Sequence, residues 1–266
     1  MDIVLTADLG NSRLKMCAWN APRCEVTARA TFASEKGIGR AAAEFVRDHG
    51  PFRGAALSSV VAQDLETEVF GALSAALGGA CTLAPESGLA IDVREPGRVG
   101  RDRIYAARGA LEILHVERAS NGATVAGLIV VDAGTALTVD AVDARGAGRF
   151  LGGAIAPGPT LLARALAQHT AHLPRVDPDS SAVALGRDTE SAVQSGVVVG
   201  FRGAALELAL RIAAEAGFRT PWVVLTGGAS KFLESIFDRP EFARVVDDPD
   251  LVHRGLLAAW TASNAR

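Results

Sequence analysis

One short passage occurs twice in this chain, and it constrains the fold more than any other feature. Val4-Leu5-Thr6-Ala7-Asp8-Leu9-Gly10-Asn11-Ser12 returns as Leu128-Ile129-Val130-Val131-Asp132-Ala133-Gly134-Thr135-Ala136. Each copy is an apolar run, then Asp-x-Gly, then a small hydroxyl or amide residue, then a second strand-like run. An apolar run of this length reads as a buried strand. Gly directly after it marks a sharp turn where backbone can approach a ligand. An Asp at the strand end, with N–H and hydroxyl groups in the turn, suits a phosphate and its metal. Two such turns, one per half, predict two related lobes gripping one nucleotide between them.

The chain has 266 residues, enough for one large domain or two of ordinary size. The repeat favours two, split near Ser120-Asn121-Gly122, giving lobes at 1–120 and 121–266. The last helix is a candidate to pack back on the first lobe. An apolar share of 49% is ample for a core. The formal net charge of −3 is mild and well mixed, which favours neither nucleic acid nor a membrane surface as partner. Met1-Asp2 leads into a strand with no basic region and no apolar signal core, so no secretory signal is expected. No run approaches the ~20 apolar residues of a spanning helix. Cys17, Cys24 and Cys81 are odd in number and widely spaced. They give no disulfide framework and no metal knuckle, which fits a reducing cytosol and a cytoplasmic protein.

Residues 3–9, 13–20 and 24–32 read as a three-stranded meander. Helix-like segments follow at 39–49 and from Leu65 to Leu77, with strands at Ala55 to Val61 and near Cys81-Thr82-Leu83. A Pro-, Gly- and Arg-rich loop leads to Gly100, and Ile104 to Val116 is helical. The second lobe repeats the plan with strands at 127–132, 135–143 and 148–155 and a helix from Pro159. Asp188 and Thr189 are start signals for a long helix to about Gly217. Gly196, Gly200 and Gly203 each cost that helix ~1 kcal/mol of propensity relative to Ala. Close approach by another helix, from a second subunit, or packing against the lobe's own sheet would each account for them. Trp222 to Leu225 is a buried strand ending in Thr226-Gly227-Gly228-Ala229, and a closing helix starts near Leu251. The class is α/β, with duplicated β-β-β-α-β-α lobes.

Four motifs carry candidate chemistry. In the first turn, Asp8 would hold Mg²⁺ directly or through water, and Lys15 shares a strand face with Arg13 and could reach phosphates. In the second, Thr135 offers a hydroxyl and an N–H to a phosphate oxygen. Asp132, at the end of a very apolar strand, is costly to bury unpaired, and a cation beside it would solve that problem. In Gly100-Arg101-Asp102-Arg103, a carboxylate flanked by arginines could orient a substrate hydroxyl and accept its proton late in phosphoryl transfer. An Arg fork suits a substrate carboxylate. The plainer reading of this tetrapeptide is an N-cap Asp with surface arginines. Gly152-Gly153-Ala154-Ile155-Ala156-Pro157-Gly158 and Thr226-Gly227-Gly228 are Gly turns suited to close approach by a nucleotide. His169 and His172 are three apart and could face one side of a helix, but no third ligand is evident. There is no Gly-x-Ser-x-Gly elbow, no Walker loop and no dinucleotide fingerprint.

Together these elements resemble the type III pantothenate kinases, members of the acetate and sugar kinase, heat-shock-70 and actin superfamily. The resemblance rests on Asp8-x-Gly-Asn-Ser, Gly100-x-Asp-Arg, Asp132-x-Gly-Thr and Gly152-Gly-x-Ile-x-Pro-Gly, in that order. It continues through Thr170-Ala171-His172-Leu173-Pro174, Gly186-Arg187-Asp188-Thr189, Gln194-Ser195-Gly196 and Thr226-Gly227-Gly228. It implies duplicated actin-like, ribonuclease H-like lobes with a nucleotide cleft between them. It implies ATP-dependent phosphorylation of pantothenate to 4'-phosphopantothenate, the first step toward coenzyme A.

By the same resemblance Asp102 would be the catalytic proton acceptor. Asp8, Leu9, Gly10, Asn11, Ser12, Arg13, Leu14, Lys15 and Thr135 would bind ATP. Gly100, Arg101, Asp102, Arg103 and the position of Val93 would line the pantothenate site, with Thr189 reaching it from the neighbouring subunit of a homodimer. Asp132 would bind a monovalent cation, K⁺ or NH₄⁺, and Mg²⁺ would accompany ATP near Asp8. Two positions depart from the family's pattern. Many members carry an aromatic residue where this chain has Val93, and Arg101 stands where a small residue is common. A superfamily kinase acting on a sugar or another small hydroxylated acid, and a non-catalytic regulatory homologue, are the competing readings. The first would show no gain from K⁺, and the second would be expected to have lost an Asp or Thr of the turns.

Overall fold

The computed structural model describes residues 2–122, 124–233 and 235–264, so Met1, where the N-terminal reading starts, lies outside them. The chain forms two compact units. The first comprises Met1–Leu89, Glu95–Asn121 and Asp250–Arg266, and the second comprises Ala90–Arg94 and Gly122–Pro249.

The first unit opens with the expected meander of β1 (Ile3–Leu9), β2 (Arg13–Asn20) and β3 (Glu25–Ala33). Helix α1 (Ile38–His49) crosses to β4 (Gly54–Ser59), which lies parallel to β1. Helix α2 (Gln63–Ala76) then crosses to β5 (Cys81–Leu83), parallel to β4. The strand order is β3-β2-β1-β4-β5. β4 is buried at every position because the sheet is covered on both faces. On one face Leu5, Ala7, Leu9, Ala55 and Leu57 pack against Phe45 and Val46 of α1 and Val69 and Leu73 of α2. Val4 and Ala56, one residue out of step, turn to the other face. There they meet Tyr105 and, on the closing helix Leu251–Asn264, Leu256 and Trp260. Truncating the fully buried Leu57 to Ala would cost about 2–5 kcal/mol.

Two glycines let the helices on that second face come together. A Cβ on Gly109 would strike the Leu251 carbonyl, and one on Gly255 would strike the Tyr105 carbonyl. Side chains at either place would force the backbones apart.

In the second unit β7 (Gly127–Ala133), β8 (Ala136–Asp143) and β9 (Arg149–Pro157) form a second meander. β10 (Trp222–Thr226) runs parallel to β7, and β11 (Arg244–Asp247) parallel to β10. The run β9-β8-β7-β10-β11 repeats the first sheet strand for strand. The duplication in sequence is therefore a duplication of fold. The sheet gains a sixth strand where β6 (Ala90–Ile91), inside the stretch expected to be loop, joins the edge of β9.

Three expectations need correction. The β-β-β-α-β-α plan describes the first unit but not the second. There α4 (Pro159–His169) and α5 (Thr189–Glu215) both precede β10, and only a short 3-10 helix, Ser230–Phe232, precedes β11. The helix expected from Ile104, α3, spans Arg101–Asn121. Finally, Gly196, Gly200 and Gly203 are exposed, and an added Cβ at each would meet nothing within 4 Å. Packing against the unit's own sheet does not explain them, because α5 makes that contact through Val193, Val197, Phe201, Ala205 and Ala209. The closing helix, α6, belongs to the first unit. No described helix is long and apolar enough to cross a membrane.

Candidate active site

The first turn is a tight hairpin whose form is set by its own backbone. The Gly10 N–H donates to the Arg13 carbonyl at 3.0 Å. Ser34, at the end of β3, closes it further: its hydroxyl donates to the Gly10 carbonyl at 2.6 Å and its N–H to the Ser12 carbonyl at 3.1 Å. Val60, just past β4, donates to the Leu9 carbonyl at 3.1 Å. Leu9 and Leu14 pair beneath the turn and are fully buried, so their side chains anchor it rather than face a ligand. Asn11, Ser12, Arg13 and Lys15 are exposed. Lys15 lies directly across from Asp8, so carboxylate and ammonium share one sheet face. Arg13, two residues before Lys15, shares it too.

The second turn has the same backbone and different surroundings. The Gly134 N–H donates to the Ala136 carbonyl at 2.9 Å, and Gly158 donates to the Thr135 carbonyl at 3.0 Å. Ala229 donates to the Ala133 carbonyl at 2.8 Å. The two Gly turns of the sequence thus converge on this hairpin. Gly227 has φ +93°, and a Cβ there would collide with the Asp132 carboxylate and the Ala133 carbonyl. One on Gly158 would collide with the Gly134 and Thr135 carbonyls. Thr135 stands exposed at the tip.

Asp102 lies in the first turn of α3, not at its cap; Gly100 holds that place, its carbonyl accepting from Ile104 at 3.3 Å. The plain N-cap reading of Asp102 therefore does not hold. Its carboxylate folds back toward Gly100, accepting from the Arg103 N–H at 2.9 Å. A Cβ on Gly100 would lie 2.5 Å from that carboxylate oxygen, so a side chain there would displace the carboxylate. The partly positive helix end favours a carboxylate here. Arg101 is exposed, with its guanidinium 3.9 Å from Glu66 of α2.

Thr189 is exposed at the first position of α5. Asp188 caps that helix, accepting from the Ser191 N–H at 2.8 Å while the Ser191 hydroxyl accepts from the Asp188 N–H at 3.1 Å. Those bonds hold the Asp188 carboxyl below its ordinary range. Gln194 and Ser195 turn out to tie down the preceding loop: Gln194 donates to the Asp177 carbonyl, and Ser195 to the Ala184 carbonyl at 2.7 Å. Val93 is carried by the segment that begins with β6, its side chain 3.4 Å from where a Gly152 Cβ would stand. Helix α4 ends at His169, so His172 does not share it.

A buried polar cluster that the sequence did not announce lies one row below Asp8 and Lys15. Thr6 accepts from the Trp19 indole N–H at 2.8 Å and sits 3.0 Å from Nδ1 of His253 on α6. Burial pushes the imidazole down to about 4, Lys15 and Arg29 push the same way, and Asp250 opposes them. Burial pushes the Asp250 carboxyl up, but its paired bonds and charge contact with Arg29 outweigh this and leave it low. Burial and Asp250 keep the Cys17 thiol protonated.

Among the described residues no group of three or more His, Cys, Asp or Glu is placed to hold a metal ion. What exists is one carboxylate per turn. That set fits Mg²⁺ arriving with a polyphosphate, because Mg²⁺ keeps water and phosphate oxygens as most of its ligands. At the second turn the carboxylate of Asp132, at the end of an apolar strand, is an oxygen ligand of the kind a cation takes.

The family model for type III pantothenate kinase matches residues 4–211. The type III pantothenate kinase of Hyphomonas neptunium is 41% identical over 175 residues, 66% of this chain and 62% of that protein. The match therefore spans less than two thirds of that relative's length. The type III pantothenate kinase of Thermus thermophilus is 36% identical over 217 residues, 80% of this chain and 78% of that one. The crystal structure of Porphyromonas gingivalis acetate kinase shares the fold, with a TM-score of 0.53 at 12% identity over 100% of both chains. With the family model spanning both Asp-x-Gly turns and the Gly-x-Asp-Arg helix start, the chain belongs to the type III pantothenate kinase family.

Proposed function

We propose that the protein transfers the γ-phosphoryl group of ATP to the primary hydroxyl of pantothenate, giving 4'-phosphopantothenate for coenzyme A synthesis. One observation carries this reading. The same Asp-x-Gly hairpin recurs at the same place in two sheets of the same strand order, inside the stretch the family model covers. Phosphoryl transfer needs positioning and charge neutralisation more than covalent chemistry. The first turn, with Arg13 and Lys15, binds the phosphates, and Thr135 adds a hydroxyl. With Mg²⁺ beside the triphosphate near Asp8 and K⁺ or NH₄⁺ at Asp132, the phosphate charge is neutralised. Asp102 orients the pantothenate hydroxyl and accepts its proton as the new O–P bond forms and the bond to the ADP oxygen breaks. Arg103 and Gly100 hold the pantothenate end, and Val93 lines its pocket. A cytoplasmic setting fits the three free cysteines.

The working form in this proposal is a homodimer in which Thr189 contacts pantothenate bound by the neighbouring chain. The open glycine face of α5 supports it, as do Ile155, Val183 and Leu185 of the same unit, which are 64%, 64% and 72% exposed. Mixed dimers of Asp102→Asn and Thr189→Ala chains should regain part of the activity that each homodimer lacks. No recovery in verified mixed dimers would mean that each site is completed within one chain.

The test of the function itself is ADP release from ATP, with pantothenate, acetate or a hexose as acceptor, with and without K⁺. Release that needs pantothenate and rises with K⁺ is expected. Release with a hexose or acetate and none with pantothenate would overturn the assignment.

A further inference from the structure

Ser58 and Ser59 end β4 with their hydroxyls buried, and neither finds a hydrogen-bond partner among the described residues. β4 and β1 run parallel and end together here, with Ser58 level with Asp8 and Ser59 level with Leu9. Level residues on neighbouring strands share a sheet face. Ser59 therefore shares the face of Leu9 and Leu57, which packs on α1 and α2. Ser58 shares the face of Asp8 and, one strand further, Lys15. A cation, a carboxylate and a hydroxyl thus stand in one row across β2, β1 and β4. The row lies at the carboxyl ends of two parallel strands, where ligands of open α/β sheets collect. A buried donor with no acceptor costs stability in the resting protein. At Ser59, against an apolar layer, nothing repays that cost. At Ser58 a carboxylate is the immediate neighbour.

We infer that Ser58 is a positioning residue for Asp8. Its hydroxyl donates to the Asp8 carboxylate in the nucleotide-bound state and aims it at the Mg²⁺ that accompanies the phosphates. The inference rests on the kinase reading above and adds a residue that none of the motifs contains.

Ser58→Ala and Ser59→Ala in the full chain test it, by calorimetric titration with Mg·ATP and with ATP in EDTA, alongside thermal unfolding. Ser58→Ala is expected to bind Mg·ATP about tenfold more weakly, as the loss of one hydrogen bond to a charged group implies. It should bind metal-free ATP as the wild type does, and melt at or above the wild-type temperature. Ser59→Ala should match the wild type in both titrations. A Ser58→Ala protein that binds Mg·ATP as tightly as wild type overturns the inference. So does one that melts several degrees lower or fails to fold, since the hydroxyl would then have a structural partner. Wild-type protein that takes up no Mg·ATP overturns the kinase reading itself.

Discussion

The two Asp-x-Gly turns share a backbone and differ in what surrounds it. The first presents charge: Arg13 and Lys15 stand exposed on β2 beside Asp8, with the Ser34 hydroxyl beneath the tip. The second has no cation on the strand that follows it; Ala136, Leu137 and Thr138 occupy the start of β8. It is hemmed in instead by the backbones of Gly158 and Gly227, with a carboxylate and carbonyl oxygens turned inward. In the proposed function the first turn meets the anion and the second a cation, so that two copies of one scaffold would divide the handling of a triphosphate and its counter-ions through a few side chains.

The largest effect is expected away from both turns. Asp102→Asn should lower kcat by about 10²–10⁴-fold, the usual range for a lost acid–base group, while Mg·ATP binding is unchanged. Comparable losses in kcat and in ATP affinity would mean that Asp102 belongs to the nucleotide site, and the division between binding turns and catalytic helix start would fail.

A paired glycine substitution sharpens the contrast. Gly227→Ala places a side chain at φ +93° against Asp132 and Ala133, and should cost about 2–5 kcal/mol in denaturant unfolding. Gly10→Ala in the first turn meets only the Arg13 carbonyl at 3.5 Å, an ordinary contact, and should cost less than about 1 kcal/mol. Equal losses would show that both turns are packed alike.

A smaller effect concerns pH. His253 beneath the first turn is held near 4, against an ordinary value of 6.5. The unfolded chain therefore takes up this proton first as pH falls. Stability is full above about 6.5, declines through the window down to about 4 and loses nothing more from this group below it. The linkage amounts to about 2 kcal/mol between about pH 7 and pH 5, and His253→Gln should remove it. The second unit has no described counterpart to this buried imidazole.

Much of this was legible in the sequence because it is local. An apolar run followed by Asp-x-Gly fixes strand, turn and carboxylate together, and Asp188 with Thr189 writes the start of α5. What escaped was short or tertiary. β6 and β11 are two and four residues long, too brief to show a period. The convergence of Gly158 and Gly227 on one hairpin joins places far apart in the chain. Ser58, in Ala55-Ala56-Leu57-Ser58-Ser59, looks like any small residue of a buried strand until its register with Asp8 is known. Arg101 reads as a neighbour of Asp102 in sequence, yet its guanidinium reaches Glu66.

The divided roles of the turns are tested most directly by Mg·ATP affinity, titrated calorimetrically with K⁺ present or replaced by a bulky inert cation. Wild type should bind more tightly in K⁺, and Lys15→Ala should bind about 10–100-fold more weakly in both media, the loss of a charged contact to phosphate. Asp132→Asn should bind equally in both, at the wild type's K⁺-free level. K⁺ dependence that survives in Asp132→Asn, or undiminished affinity in Lys15→Ala, would contradict the account.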